Sequence, residues 1–389
     1  MRKAPCWHTP RRFDRRANSV RRLRSEKPPI SAQKRQPTTI GSEAERKMEK
    51  RKLRATAKKV DRLLKLLSDK KNILIMTHDN PDPDTLASAL ALRDLIQKKL
   101  KTTVTIGFTG IVGRAENKAM IRHLNIPLKR LDEIEVSRYD TTVLVDSQPH
   151  TGLLGLPIEP DVVIDHHPVR PESRRAIYHD IQTSIGSTST ILTQYYIAEN
   201  IDMDARLATA LLYGVKSDTR DLGRETSKYD LEAYLYLYPR ANLKILSQIE
   251  NAEVPAEYFR VYEKAIENAI VMNGAVVSFL DDINNPDMVA EMTDMLVRLE
   301  GTCCALVGGY YQEQIFISIR TRDCDVNAGK LVQRIVGKLG RAGGHGSMSA
   351  GRIKLETMSD KEKSNIEKVI IRRLRRCLRI KQARGKKLV

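Results

Sequence analysis

Cysteine and long apolar runs are scarce in this chain of 389 residues. The cysteines are odd in number and lack the paired spacing of metal sites, so neither a disulfide framework nor a zinc site is indicated. No apolar run approaches the roughly 18 residues that a membrane span requires, and the first residues lack the apolar core of a secretory signal. We therefore expect a cytoplasmic protein without a membrane partner. The cysteines are Cys6, Cys303, Cys304, Cys324 and Cys377.

The positive charge of the chain is concentrated at its two ends. The net charge is +19, yet residues 1–55 hold 18 Lys or Arg against 5 acidic residues, and residues 361–389 hold 12 against 2. The remaining body therefore carries about −4. Such tails can attract nucleic acid by counterion release. Aromatic residues that would stack on bases do not interleave with the charges, so we favour solvated ends, with nucleic-acid contact as the alternative.

The stretch ILIMTHDNPDPDTLAS, from Ile73 to Ser88, places potential metal ligands at the end of a strand. Its first four residues are typical of a short buried strand, and from Thr85 the apolar residues recur at helical spacing. His78, Asp82 and Asp84 lie between the two elements, which is where ligands bind in open α/β sheets. The alternative for either aspartate is that it only caps the helix.

Three further segments place acidic or histidine residues after an apolar element. A strand over Thr141–Val145 ends at Asp146, and a strand over Val162–Ile164 ends at Asp165, His166 and His167. Asp218 follows a helical pattern over residues 205–213. Parallel strands would bring all these side chains to one edge of a sheet. For Asp146 the alternative is an ordinary turn at the strand end.

These side chains predict a site for hard divalent ions. Carboxylate oxygen with imidazole nitrogen and no thiolate favours manganese or magnesium over zinc or an iron–sulfur cluster. The number of candidates exceeds what one ion with an open position needs, and it suits a two-metal site that activates water against a phosphoryl group. The candidate ligands are His78, Asp82, Asp84, Asp146, His166 and Asp218.

Four motifs together resemble those of the DHH phosphoesterases: THDNPDPD, VLVDSQ, VIDHHP and VKSDTRD. Further along, ISIRTR and GRAGGHGSMSAG resemble the phosphate-gripping signature of the DHH-associated C-terminal domain. The pairing resembles the nanoRNase and adenosine bisphosphate phosphatase branch, the RecJ-like exonucleases and the cyclic dinucleotide phosphodiesterases. It implies an α/β fold with a parallel-sheet metal domain, followed by a smaller α+β domain that binds substrate.

The resemblance also implies roles for individual residues. His78, Asp82 and Asp146 would hold one ion, and Asp84, Asp146, His166 and Asp218 would hold the other, with manganese preferred and magnesium as the alternative. Asp165 would orient an imidazole, and His167 would face the substrate phosphate. Ala87 stands where the family often has glycine, and Arg341 with Ala342 interrupts the glycine-rich run. These departures remove no ligand but put the fit of substrate against the glycines in doubt.

The second part of the chain has α+β patterns and a candidate anion site. Glycine lets backbone N–H groups approach an anion closely, and neighbouring cations add charge. A tight turn is the alternative interpretation of the glycines. The candidate substrate-binding residues are Arg320, Gly343, Gly344 and His345.

These patterns divide the chain into five segments. A basic leader over residues 1–41, expected to be disordered, precedes a DHH domain over 42–235. A helical connector over 236–269 leads to the substrate-binding domain over 270–360. Residues 361–389 form a basic C-terminal helix or tail.

The sequence thus predicts a manganese-dependent phosphodiesterase or phosphatase. Its partners would be short oligonucleotides or nucleotide phosphates, as for an oligoribonuclease or another exonuclease. A second copy of the chain, in a homodimer, is a further candidate partner. Two alternatives stay open, namely a polyphosphate or pyrophosphate hydrolase and a nucleotide-binding regulator that has lost catalysis.

Overall fold

Six parallel strands form the first of two sheets in the computed structural model, which describes residues 43–150, 158–224, 226–322, 325–381 and 385–389. The sheet order is β3-β2-β1-β4-β5-β6. Ile75 at the centre pairs with Ile106 on one side and Val143 on the other. The parallel sheet expected from the sequence is confirmed. The strands are β1 Asn72–Asp79, β2 Thr103–Thr109, β3 Leu128–Arg130, β4 Thr141–Val145, β5 Val162–Asp165 and β6 Tyr178–Ile181.

The order of these strands reverses between β1 and β4. From β1 the chain adds β2 and β3 toward one edge, and it then returns to add β4, β5 and β6 toward the other. The connections after β1 and β4 therefore diverge to opposite sides and leave a crevice at the carboxyl ends of these two strands. Such switch points are the usual ligand sites of open α/β sheets.

Eight helices accompany or follow this sheet in the described residues. α2 is buried along most of its length, because it lies between the sheet and helices α4 and α5. With the first sheet, α2 to α7 make up what we call the first domain. The helices are α1 Glu43–Leu67, α2 Pro83–Leu100, α3 Ala115–His123, α4 Thr188–Ala198, α5 Ala205–Thr219, α6 Lys228–Leu237, α7 Leu243–Glu250 and α8 Ala256–Glu267.

Helix α5 is longer than the sequence pattern predicted. We expected it to end near Tyr213 and Asp218 to lie in the following turn, but the helix continues to Thr219 and holds Asp218 in its last turn. Val215 is fully buried, and the Thr219 hydroxyl donates to the Val215 carbonyl. Arg220, in the left-handed conformation, ends the helix. Packing of the last turn thus decides the position of Asp218.

Seven strands form the second sheet, in the order β11-β12-β10-β9-β8-β7-β13. Neighbours are antiparallel except β8 and β9, so the sheet is mixed, as an α+β domain requires. With helices α8 to α11 it forms what we call the second domain. Its strands are β7 Ile270–Met272, β8 Ala275–Asp282, β9 Cys304–Tyr311, β10 Gln314–Thr321, β11 Gly340–His345, β12 Met348–Lys354 and β13 Lys386–Lys387. Its other helices are α9 Asp287–Leu296, α10 Ala328–Val336 and α11 Asp360–Cys377.

The two faces of this sheet carry separate apolar cores. Ile317 and Ile319 of β10 face α10 and α11. Ile370 and Leu374 of α11 are fully buried in the same core. The basic C-terminal helix predicted from residue 361 is therefore packed into the second domain. On the opposite face, alternation turns Arg320 toward α9. Among the described helices, none combines the length and apolar character that a membrane crossing requires.

The glycine-rich stretch, which we interpreted from the sequence as an anion site or a tight turn, forms an edge strand. Gly343 and Gly344 of β11 pair with Ala350 and Ser349 of β12. Gly344 has a φ of 142°, and an added Cβ would lie 2.5 Å from the Met348 carbonyl oxygen. The close approach of the two strands thus requires glycine at this position. Gly344, which we predicted to bind substrate, therefore also has a structural role.

Candidate functional site

The crevice at the switch point is lined by the predicted ligands. His78 lies near the end of β1, Asp146 follows β4 directly, and Asp165 ends β5. The Asp146 backbone N–H donates to the Ile164 carbonyl oxygen at 2.9 Å, and its φ of 56° turns the chain sharply out of the strand. Aspartate is among the residues that tolerate this left-handed conformation. The side chain is thereby directed into the crevice.

Asp146 is the centre of the site. Its side chain is 2% exposed and accepts hydrogen bonds from the hydroxyls of Thr85 on α2 and Thr188 on α4. Its two oxygens also lie 3.7 Å from His78 Nε2 and 3.6 Å from His166 Nε2. Two helices therefore fix a carboxylate that faces two imidazoles.

Asp84 joins the first turns of two helices. It lies at the start of α2, and it accepts the backbone N–H groups of Thr188 and Ser189 at 2.6 and 2.8 Å. These N–H groups have no partner within α4, because they lie at its start, and the helix dipole there also favours a negative charge. Gly214 of α5 permits this arrangement, since an added Cβ would lie 2.1 Å from Ser189 Oγ and 3.0 Å from Asp84 Oδ1. No sequence signal indicated Thr188, Ser189 or Gly214.

Both histidines that were predicted as ligands present Nε2 to the crevice. His78 Nδ1 bonds the Asp79 carbonyl at 2.8 Å, and His166 Nδ1 bonds the Ile185 carbonyl at 3.2 Å. A carbonyl only accepts, so Nδ1 carries the proton and Nε2 is available as a ligand. His166 Nε2 is buried, lies 3.2 Å from Asp218 Oδ2, and has no hydrogen bond of good geometry within the described residues. A buried nitrogen of this kind fits a metal ligand.

The predicted ligands form three overlapping groups, each with its ligand atoms within 4.8 Å of one another. Asp146 and His166 each belong to two of them. His167, which the resemblance assigned to the substrate phosphate, is also close enough to Asp146 and His166 to join a group. Asp82 additionally caps α2 by accepting a hydrogen bond from the Thr85 N–H. Its role as a helix cap is therefore compatible with its predicted role as a metal ligand. The groups are His78, Asp82 and Asp146; Asp84, His166 and Asp218; and Asp146, His166 and His167.

Crowding of buried carboxyl groups opposes their ionisation. Burial, with repulsion from Asp146, raises the pKa of Asp84 to about 8. Burial and neighbouring aspartates likewise raise the pKa values of Asp146 and Asp218 to about 6. Burial opposes the charge on His78, yet Asp82 and Asp146 raise its pKa to about 10. The cluster therefore has an excess of negative charge that bound cations would relieve.

Asp165 orients His167. The His167 Nδ1–H donates to Asp165 Oδ1 at 2.8 Å, and Gln148 Nε2 donates to the other carboxylate oxygen at 2.6 Å. Burial opposes ionisation of Asp165, but the bond from His167 lowers its pKa, and that of His167 is raised in turn. Gln148 belongs to the VLVDSQ motif, although the sequence did not single it out. The imidazole that Asp165 holds is therefore that of His167.

A cavity of about 640 Å³ opens over these groups. It is lined by His78, Asp82, Asp146 and His167 from the first domain and by Gly344 from the second. An anion in it would meet both domains. Gly343 is exposed, with no atom within 4 Å of an added Cβ, and the side chain of His345 lies outside the described residues.

An adjoining cavity of about 560 Å³ is rich in arginine and also touches Asp82 and Asp218. Arg320, predicted to bind substrate, lies here, and its Nε donates to Asp294 at 2.6 Å. Asp294 also pairs with Arg114 of the first domain at 3.3 Å. The sequence indicated Arg320 and Arg322 but missed the other arginines, of which Arg220 lies inside VKSDTRD. The arginines are Arg114, Arg220, Arg224, Arg298, Arg320 and Arg322.

Two family models match the chain, one for each domain. Residues 72–215 match the model described as "DHH family, N-terminal domain", and residues 273–375 match the "DHHA1 domain". The first match contains the strand exits with His78, Asp82, Asp84, Asp146 and His166, while the second contains β8 to β12 and most of α11.

Three curated relatives differ in how much of this chain they match. An uncharacterized protein of Methanocaldococcus jannaschii is 37% identical over 75% of this chain. The cyclic-di-AMP phosphodiesterase GdpP of Geobacillus thermodenitrificans is 26% identical over 81%. A manganese-dependent inorganic pyrophosphatase of Bacillus subtilis is 29% identical over 38%. The chain spans 60%, 50% and 48% of the lengths of these relatives. By its two domain matches, the chain belongs to the DHH family of phosphoesterases.

Proposed function

We propose that the protein hydrolyses phosphoric esters with divalent metal ions held at the switch point. The observation that carries the proposal is the set of three ligand groups, which are linked because Asp146 and His166 each belong to two of them, beside a cavity lined with arginines. His78, Asp82 and Asp146 would hold one ion, and Asp84, Asp146, His166 and Asp218 would hold the other, so that Asp146 is common to both positions. Bound there, the ions would activate a water and neutralise charge on the phosphoryl group.

The residues of the chain would orient the ester and stabilise its charge. Asp165 fixes the His167 ring through Nδ1, and His167 lines the cavity, where its imidazole would face a phosphoryl oxygen. Gly344 lines the same cavity from the second domain. The carbonyl bonds of His78 and His166 keep their Nε2 atoms directed at the carboxylates. The site is thus preorganised for a tetrahedral anion.

The arginine-lined cavity supports a substrate with a second anionic group. A phosphate at the metal ligands would leave the arginines to bind another phosphate of the same molecule. Short oligonucleotides and nucleotide phosphates, including cyclic dinucleotides, have this form. The relative named as a cyclic-di-AMP phosphodiesterase matches along both domains, whereas the pyrophosphatase match covers 38% of the chain. We therefore favour nucleotide substrates over pyrophosphate, and we propose manganese as the metal.

A substrate panel tests the proposal. The full chain with manganese is incubated with labelled dinucleotides, longer oligomers, a cyclic dinucleotide, adenosine bisphosphate and pyrophosphate. We expect hydrolysis of the dinucleotide and little of the pyrophosphate, because the second phosphate of pyrophosphate is joined to the first through a single oxygen and would not extend to the second domain. Turnover of pyrophosphate alone would favour the alternative hydrolase, and no turnover of any ester would favour the regulator.

Replacement of Arg320 by alanine tests the role of the arginine cavity. Loss of one charge-assisted hydrogen bond costs about 1.5 to 3 kcal/mol, which is roughly a ten- to hundredfold rise in the KM for a dinucleotide that carries a terminal phosphate. We expect kcat to change much less, since Arg320 would bind the phosphate that does not react.

A minimal aryl phosphate ester provides the control, because it has no group for the second domain to hold. Its hydrolysis should be the same in Arg320→Ala and in the natural protein. Equal damage to both substrates would place Arg320 at the reacting phosphate and contradict the division of labour between the two cavities.

A further inference from the structure

The exposed face of helix α11 carries a row of cations. Lys368, Arg372 and Arg376 are exposed and follow each other at intervals of four residues, which places them on one side of the helix. Arg379 and Lys381 are exposed beyond the helix end and extend the row. Glu367 is the last acidic residue of the sequence. We call these five cations the α11 basic face.

The cations of this face are not held in close ion pairs among the described residues, although Glu356 and Glu362 line the same groove as Arg372 and Arg376. Within the described part of the chain, no ion pair involves any of its five members. Other cations of the same helix have structural partners: Lys363 Nζ lies 2.8 Å from Asp282, and Arg373 Nη1 donates to the carbonyls of Ile335 and Val336. Lys363 and Arg373 of α11 thus stabilise the fold, whereas the cations of the α11 basic face are available to a partner.

The opposite side of α11 limits what that partner is. Ile370 and Leu374 are fully buried in the second domain, so the helix has no apolar face left to insert into a membrane. The row itself contains no aromatic residue on which a base could stack. Its chemistry therefore matches the phosphates of a nucleic-acid strand, which carry no sequence information but fix position.

The α11 basic face lies away from the catalytic cavity. The start of α10 adjoins Gly344, since an added Cβ at Gly329 would lie 2.1 Å from the Gly344 carbonyl oxygen. The end of α10 is where Arg373 binds the Ile335 and Val336 carbonyls. The 9 residues of α10, at 1.5 Å each, separate these two ends by about 13 Å.

We propose that the α11 basic face binds the phosphate backbone of a nucleic-acid strand. The row from Lys368 to Arg379 is about 16 Å long, which corresponds to roughly five nucleotides at 3.4 Å per step. A strand bound there and in the catalytic cavity would exceed a dinucleotide in length. The proposal goes beyond the hydrolytic function, because binding at this face requires no reaction.

The test is the double substitution Arg372→Gln and Arg376→Gln in the full chain with manganese. The probe is a fluorescein-labelled single-stranded RNA oligonucleotide blocked at both ends, titrated by anisotropy at several salt concentrations. We expect affinity to fall about tenfold and the slope of log K against log salt to become shallower by about 1.4, as for two lost phosphate contacts. Hydrolysis of a dinucleotide should not change, because so short a molecule does not reach the face.

A matched control carries Arg54→Gln and Lys58→Gln, two exposed cations four residues apart on α1. It has the same net charge and should bind the oligonucleotide as the natural protein does. An equal loss in both variants would show general attraction to a basic protein and overturn the proposal. Unchanged affinity in the α11 variant would overturn it as well. So would binding to phosphatidylserine vesicles that the α11 substitutions abolish while oligonucleotide binding persists, since the partner would then be a membrane surface.

Discussion

Replacement of Asp146 by asparagine is expected to lower kcat by about a thousandfold. Asp146 belongs to two of the three ligand groups, so its loss would weaken both proposed metal positions. Bound metal supplies several kcal/mol of charge stabilisation to the transition state, and each 1.36 kcal/mol is tenfold in rate. Asparagine tolerates the φ of 56° at this position, and it can accept from one threonine hydroxyl through Oδ1 and donate to the other through Nδ2, so the fold should persist. Steady-state kinetics and a thermal melt measure the two effects.

Asp161→Asn is the matched control for this experiment. Asp161 also accepts hydrogen bonds from two threonine hydroxyls, those of Thr141 and Thr142, but at the amino ends of the strands, opposite to the crevice. The Asp161→Asn substitution should lower the melting temperature modestly and leave kcat unchanged. Near-normal turnover in Asp146→Asn, or equal losses in the two variants, would move the reaction away from the switch point.

Removal of divalent ions by a chelator is expected to abolish turnover, and manganese is expected to restore it best. Burial and repulsion among the carboxyl groups raise the pKa values of Asp84 and Asp146, and bound cations would both relieve this repulsion and attract a phosphate anion. Bound ions should also stabilise the fold, by about 2.7 kcal/mol when the free ion exceeds its Kd a hundredfold. A thermal melt with increasing manganese gives this second readout without a substrate.

The two readouts separate different failures. A manganese-dependent rise in the melting temperature that Asp146→Asn reduces would place the ions at the predicted ligands, whatever the substrate is. Full turnover in the presence of chelator would contradict a metal-dependent mechanism. Better restoration by magnesium would contradict only the preference for manganese.

The parts of the site that the sequence predicted depend on local patterns. An apolar run that ends in Asp146, or in Asp165, His166 and His167, is visible as strand followed by polar ligand, and a parallel sheet brings such ends together. The glycine-rich stretch misled us because glycine serves turns and close strand pairs equally well. In β11 the pairing partner decides between them, and it lies on β12.

The parts that sequence analysis missed depend on contacts between distant residues. Asp84 is held by N–H groups that follow it by 104 and 105 residues along the chain. The short strands β3 and β6 give no strong apolar signal. In β6, Asp180 is buried because it bonds Lys59 and Tyr195. Such pairs have no spacing that a single sequence reveals.

Asp294 links Arg320 to the junction of the two domains. Arg320 and Arg114 share this carboxylate, each on its own oxygen, so an anion that draws Arg320 away would leave Asp294 to Arg114. The ion pair between Asp294 and Arg114, which joins the two domains, would then strengthen. Linked equilibria are reciprocal, so a stronger ion pair would raise the affinity of Arg320 for the anion by the same factor. Substrate capture and interdomain closure would thus share one coupling free energy, carried by a single carboxylate.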